Sequence, residues 1–278
     1  MAIPKVQTIK ELRSVYDMFS LKGKAALVTG AGGGIGRSTA AAFAEMGAKV
    51  ALMDIPQKED SLKQNVADIK ERYGAEAMYV MGDVADEASV KKFVGQVVDA
   101  YGTIDIVHNN AGIGIAGDDS NIPVEQWNRI VAVNQTGILL VGRTCANIMI
   151  EHKHGGSIVN TSSMSGLIVN RLPAHSRYGV VYPATKAAVE HLTKAMAMDY
   201  CDFGIRFNSV CYGYIISGLH DVKAGFPVEA FDAMAADTPM GRTGSLEEAV
   251  GCVAYLASDL STFATGSTVV VDGGYTVW

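Results

Sequence analysis

The sequence predicts an α/β fold: a single-domain, doubly wound parallel sheet of about seven strands with helices on both faces. Three observations lead there. Short β-rich runs alternate with longer segments of helical spacing along most of the chain. The first run passes directly into a glycine-rich turn and then a helical pattern. No repeat, low-complexity tract or Pro/Ser-rich linker divides the 278 residues.

In chain order, the first element is an N-terminal helical arm over residues 1–20. Ile9, Leu12, Val15, Tyr16 and Phe19 carry helical spacing there. The arm is expected to pack on the domain surface or on a neighbouring subunit. The catalytic domain then spans 21–278. Its predicted strands are Ala25–Thr29, Lys49–Met53, Ala77–Met81, Ile104–His108, Ser157–Asn160, Arg206–Val210 and Thr268–Val271. Helical patterns separate them at about 35–46, 57–73, 86–101, 124–150, 180–202, 226–237 and 245–258. Crossovers between parallel strands are right-handed, and ligands bind at the carboxyl ends of the strands. A functional motif therefore belongs just after a strand.

Composition narrows the partners. Lys and Arg number 23 against 29 Asp and Glu, a net charge of −6 with no basic block. Nucleic acid and anionic membranes are not expected partners. Charges run through residues 1–20, so no signal peptide or membrane span is expected there. Cys145, Cys201, Cys211 and Cys252 form no close pair and read as free thiols of a cytoplasmic protein. His152 and His154 have no ligand-spaced companions beyond Glu151, so no catalytic metal is expected.

The first strand leads into Gly30-Ala31-Gly32-Gly33-Gly34-Ile35-Gly36. The spacing G-x-x-x-G-x-G, through Gly30, Gly34 and Gly36, permits a tight turn and close backbone approach. The following helix offers its free N–H groups and positive end to a pyrophosphate. Asp54 ends the second strand, 18 residues after Gly36. A carboxylate there accepts hydrogen bonds from ribose hydroxyls and repels an added phosphate, which points to NAD(H) as cofactor.

Tyr182 and Lys186 lie at i and i+4 on one predicted helix, hence on one face. An ammonium beside a phenol favours the phenolate and is expected to lower its pKa. Ser163 follows the fifth strand, with Ser162 and Ser165 as competitors. Asn134 sits in an apolar helix, where a buried amide needs partners.

Thr29-Gly30-x-x-x-Gly34-Ile35-Gly36 together with Tyr182-x-x-x-Lys186 resembles the signatures of the short-chain dehydrogenase/reductase family, whose fold is of the Rossmann type. The likeness covers about residues 20–278. It continues through Asp83-Val84, Asn109-Asn110-Ala111-Gly112, Pro239-Met240-Gly241-Arg242, Leu256-Ala257-Ser258-Asp259 and Val271-Asp272-Gly273-Gly274. The resemblance implies an active site of Asn134, Ser163, Tyr182 and Lys186. It implies a dinucleotide site of Gly30, Gly34, Ile35, Gly36, Asp54, Asp83, Val84, Asn110, Ala111, Gly112, Tyr182, Lys186, Ile215 and Ser217. It implies hydride exchange with the carbon of a secondary alcohol or ketone, and often a homotetramer. Interfaces would then come from 124–150, 180–202 and the C-terminal Tyr275–Trp278.

Two departures from the family pattern stand out. The segment between Ser163 and Tyr182 is longer than usual, with added residues around Asn170–Tyr178 that include Arg171, His175 and Arg177. Tyr212-Gly213 replaces the usual Pro-Gly after the sixth strand, and Tyr212 is expected to stack near the nicotinamide or touch substrate. Residues 214–237 read as a lid with an apolar lining. Polyol and ketose reductases of the family share the Met164–Asn170 and Phe19–Lys24 patterns. Bacterial 20β-hydroxysteroid dehydrogenases share the arm and apolar lid. Enoyl reductases of the wider family space Tyr and Lys more widely, and epimerases are longer. A non-catalytic dinucleotide sensor or structural subunit is the alternative from another class.

Overall fold

The computed structural model describes residues 6–115, 118–170, 179–217 and 227–277. All seven strands lie in one parallel sheet of order β3-β2-β1-β4-β5-β6-β7. They are β1 (Ala25–Thr29), β2 (Lys49–Asp54), β3 (Ala77–Met81), β4 (Ile106–Asn109), β5 (Gly156–Ser163), β6 (Ile205–Tyr212) and β7 (Thr268–Val271). The order reverses between β1 and β4, which opens a crevice at their carboxyl ends.

Period-two alternation sorts the strand side chains between two cores. Ala26, Val28, Val50 and Leu52 pack with Ala40 and Phe43 of α2 (Gly34–Glu45), Leu62 and Ile69 of α3 (Glu59–Tyr73), and Val253 and Leu256 of α9 (Leu246–Ala257). Leu27, Ala51 and Met53 pack on the other face. Their partners are Phe93 of α4 (Glu87–Tyr101), Val141 and Met149 of α6 (Gly137–Glu151), and Met196 of α7 (Val181–Tyr200). Burial on both faces explains why β1 reads as an unbroken buried run.

The ends of the strands differ from expectation at the site edge. β5 runs three residues past Asn160, and β6 runs through Cys211 to Tyr212. Register pairs Ser162 with Cys211 and Ser163 with Tyr212. Apolar patterning ends at Asn160, but the donors of the polar continuation find specific partners. Asn160 donates to Thr193 Oγ1, and Ser162 Oγ donates to the Lys186 carbonyl.

Two predicted helices are broken. The segment 124–150 comprises α5 (Val124–Val131), a π-helical stretch Ala132–Thr136, and α6. The arm forms a 3₁₀ turn, Ile9–Glu11, and then α1 (Val15–Phe19), with Leu12 and Ser14 extended between them. Ile9, Leu12, Val15 and Tyr16 are exposed. Their spacing therefore does not report a buried face within this chain. An ion pair between Arg13 and Asp259, 2.8 Å apart, holds the arm to the domain. Of the lid segment, α8 (Glu229–Ala236) is a helix, and 218–226 lie outside the described residues.

Candidate active site

The glycine turn is built around close backbone approach. Gly30 has φ +66° and Gly34 φ +51°, conformations that suit glycine. A Cβ on Gly36 would lie 2.3 Å from the Gly30 carbonyl oxygen. Gly33 caps α2 without a side chain, so the first-turn N–H groups keep no side-chain acceptor there. A Cβ on Gly33 would meet nothing within 4 Å. Backbone donors at a helix N-terminus beside open space are what a pyrophosphate needs. The residues present fit a dinucleotide.

Asn110 and Thr29 fasten β4 to this turn. Thr29 Oγ1 accepts from the Asn110 and Ala111 backbone N–H groups, each at 3.0 Å. Asn110 Nδ2 donates to the Thr29 carbonyl at 3.0 Å. Asp54 stands at the carboxyl end of β2. Its Oδ2 accepts from Gly32 N–H and its Oδ1 from Ile55 N–H, both at 2.8 Å. The carboxylate is thus fixed against the glycine turn, with lone pairs left over. Asp83 is exposed after β3, with Oδ1 accepting from Ala85 N–H. Val84 is buried and packs where a Cβ on Gly137 would lie, 2.8 Å from its Cγ2.

Asn134 lies in the π-helical stretch, fully buried. Gly137 N–H reaches the Ala132 carbonyl there, one residue further than in an α-helix. The Asn134 amide holds both backbone groups of Ile113. Oδ1 accepts from Ile113 N–H and Nδ2 donates to the Ile113 carbonyl, each at 2.8 Å. Nδ2 also reaches Thr185 Oγ1 at 3.3 Å. A Cβ on Gly112 would lie 3.4 Å from Asn134 Oδ1 and 3.6 Å from Lys186 Nζ. Asn134 and Lys186, two of the four candidate residues, therefore both border the space beside Gly112.

Lys186 is buried on α7, donates from Nζ to the Thr161 carbonyl at 2.9 Å, and sits 5.6 Å from the centre of the Tyr182 ring. Burial pushes its pKa down to about 8, against the raising pull of the Glu190 carboxylate. Burial pushes the Tyr182 phenol above its ordinary value, and a hydrogen bond with the Ser163 side chain pulls against that rise. This corrects the expectation that the ammonium lowers the phenol. Burial dominates, and the ammonium is already engaged by the Thr161 carbonyl. Ser163, at the end of β5, is the serine that meets Tyr182. Its Oγ also accepts from Ser165 N–H at 3.2 Å. Ser162 is turned to the α7 backbone instead.

Tyr212 is not at the site. It is buried in the core, and its hydroxyl donates to the Ala249 carbonyl of α9 at 2.9 Å. The reason is strand length: β6 continues to Tyr212 and keeps it on the α9 face. Ile215 is buried beside Gly244, to which it is bridged, and Ser217 is half-buried just before the undescribed 218–226. Arg171, His175, Arg177 and Tyr178 lie outside the described residues. Among the described residues no group of three or more His, Cys, Asp or Glu side chains could hold a metal ion. None of the described helices is long and apolar enough to cross a membrane. The four cysteines are free thiols.

Three side chains at this edge were missed by the motifs. Thr161 holds Lys186 by its carbonyl and Asn110 by its hydroxyl. His108 is fully buried, 3.0 Å from Thr161 Oγ1 through Nε2, and burial pushes its pKa down to about 3. Asp118 places its carboxylate on the first backbone N–H groups of α7. Strand residues one and two positions from a motif carry no distinct signal, and Asp118 is far from α7 in sequence.

A family model described as enoyl-(acyl carrier protein) reductase matches residues 30–276. Sorbose reductase of Candida albicans is 39% identical over 266 residues, covering 95% of this chain and 90% of its own. NADP-dependent mannitol dehydrogenase of Alternaria alternata is 34% identical, covering 97% of this chain and 98% of its own. A short-chain type dehydrogenase/reductase of Mycobacterium marinum superposes with TM-score 0.88 at 39% identity, over 95% of this chain and 100% of its own. A gluconate 5-dehydrogenase of Burkholderia cenocepacia, solved with NADP and tartrate, gives TM-score 0.85 at 32% identity, over 95% of this chain and 100% of its own.

Proposed function

The chain belongs to the short-chain dehydrogenase/reductase family of nicotinamide-dependent oxidoreductases, and on that premise we propose that it interconverts a secondary alcohol and a ketone on a polyol or ketose with NAD(H). The observation that carries this reading is the convergence of Asn134 and Lys186 on Gly112, with Tyr182 beside Lys186 and Ser163 against Tyr182. A bound nicotinamide dinucleotide supplies or accepts the hydride. Gly30, Gly34, Ile35 and Gly36 hold its pyrophosphate, Asp54 its ribose, and Asn110, Ala111 and Gly112 its nicotinamide half. The Tyr182 phenol passes a proton to or from the substrate oxygen, and the Ser163 hydroxyl donates a hydrogen bond to that oxygen. Lys186 holds ribose hydroxyls and supplies positive charge beside the phenol ring.

The four-residue spacing of Tyr182 and Lys186 favours carbonyl chemistry over the enoyl reduction named in the family model's description. The sorbose and mannitol relatives favour a sugar or polyol over a steroid. Asp54 favours NAD(H), although the mannitol relative is NADP-dependent, because its fixed carboxylate would face the added phosphate at close range. Reduction of a ketose panel by NADH and by NADPH, beside a steroid panel, tests both parts. NADH is expected to be the better donor with ketoses. Asp54→Ala is expected to shift the NADH/NADPH ratio of kcat/KM toward NADPH by about tenfold, some 1.4 kcal/mol of lost selectivity. An unchanged ratio removes Asp54 from cofactor choice. Turnover of steroids alone removes the sugar reading.

Proton transfer by Tyr182 sets the sign of the pH dependence. The phenol is raised, so its deprotonated fraction grows through the alkaline range. Oxidation of the alcohol uses the phenolate and should speed up from pH 7 to 10. Reduction uses the neutral phenol, which still predominates below a raised pKa, so it should stay nearly level over that range and slow only above it. Equal slopes in both directions would argue against residue 182 as the proton carrier.

A further inference from the structure

We propose that Asp118 is a positioning residue for the reaction, clamping the first turn of α7 so that the Tyr182 hydroxyl stays at reacting height. The inference rests on the hydride-transfer reading above.

The clamp is built from three bonds to three consecutive residues. Asp118 Oδ1 accepts from Val180 N–H at 2.9 Å and from Val181 N–H at 2.7 Å. Oδ2 accepts from Tyr182 N–H at 2.9 Å. The carboxylate is 6% exposed. These donors belong to the unsatisfied first turn of a helix. The residue at the cap position, Val180, has no side-chain acceptor and makes no side-chain cap. The capping group arrives instead from 62 to 64 residues upstream. Charge-assisted bonds at the positive end of a helix are the stronger kind.

The place of the clamp matters more than its strength. Tyr182 is the second residue of α7, in the turn that frays first when uncapped. Lys186 lies one turn deeper and has its own anchor in the Thr161 carbonyl. Loss of the clamp should therefore loosen Tyr182 and spare Lys186. The two residues carry separable tasks, proton transfer and dinucleotide holding, so the split is measurable.

The clamp also joins two parts of the site. Residues 110–113 line the dinucleotide site. Ala111 is tied to Thr29, Ile113 to Asn134, and Asp118 to α7. Together these three ties set the distance between the dinucleotide-lining backbone and the helix that bears the phenol. A loop that merely crossed the surface would not bury a carboxylate on that helix.

The test uses Asp118→Ala and Asp118→Asn in the full-length enzyme. The Asn variant keeps size but turns one acceptor into a donor opposite an N–H group. Three quantities are read: kcat with a turned-over ketone, NADH affinity by fluorescence, and hydrogen exchange over residues 179–200. Both variants are expected to lose about 10- to 100-fold in kcat, the cost of a phenol displaced by about an ångström. NADH affinity is expected to stay within about twofold, because Lys186 keeps its own anchor. Exchange should speed up at residues 180–182 and not beyond 186. Asp118→Glu, which restores a carboxylate, should recover part of kcat. Unchanged kcat in both variants, or kcat and NADH affinity falling together, overturns the assignment. Exchange reads the clamp without substrate. If the native enzyme turns over no carbonyl, the hydride reading fails, while unchanged exchange in the variants fails the clamp itself.

Discussion

Tyr182→Phe is expected to lower kcat by about 10²- to 10⁴-fold, the range removed with a general acid–base group, while NADH still binds. Only the hydroxyl leaves. The ring that packs 5.6 Å beneath the Lys186 ammonium remains, and Lys186 keeps its bond to the Thr161 carbonyl. Ser163 Oγ loses one contact but still accepts from Ser165 N–H. No buried donor is stranded, so the change in folding stability should be under about 1 kcal/mol. Steady-state kinetics beside NADH fluorescence checks this. A residual kcat within tenfold of the native value would show that the proton travels by another route. Lys186→Met is the useful contrast. It removes the charge and strands the Thr161 carbonyl, so kcat and NADH affinity should fall together.

The architecture was legible because the helices and strands announce themselves by different periods. β1, β3 and β7 have the expected bounds, and all seven strands join one parallel sheet as expected. What was not legible lies where a local signal and a tertiary partner disagree. Asn160 to Ser163 read as the end of an apolar run. They form the last part of β5, because Thr193, Asn110 and the Lys186 carbonyl accept their polar groups. Ala132–Thr136 read as ordinary helix, since an extra residue in a π turn leaves no mark in composition. Tyr212 read as a pocket residue because a bulky side chain stands at a motif position. The extended β6 sends it into the core, where the Ala249 carbonyl accepts a hydrogen bond from its hydroxyl. Asp118 gave no signal at all, because a cap supplied from a distant loop is invisible to a reading of the residues just before the helix. The site motifs were found for the opposite reason: glycines at Gly30 and Gly36, and a phenol and an amine one turn apart, are constrained by contacts within a few residues or at fixed strand ends.

Glycine substitutions in the first turn separate folding from ligand binding. A Cβ on Gly36 would meet the Gly30 carbonyl oxygen at 2.3 Å and Asn110 Nδ2 at 2.7 Å. Both neighbours are held. Gly30 is in a left-handed conformation, and Asn110 Nδ2 already donates to the Thr29 carbonyl. Gly36→Ala must therefore push β1 and β4 apart at the crevice, at a cost of about 1–3 kcal/mol, as for an overpacked core. Its melting temperature and its NADH affinity should both drop, the latter by more than about tenfold if the turn cradles the pyrophosphate. Gly33→Ala is the control. Gly33 is in extended backbone that any residue adopts, and its Cβ would meet no protein atom within 4 Å. Stability should be unchanged. If NADH affinity nonetheless falls, the methyl group is competing with the ligand and not with the fold. If Gly33→Ala binds NADH as well as the native protein does, the pyrophosphate does not approach the cap of α2, and the assignment of this turn has to be redrawn around Gly30 and Asp54.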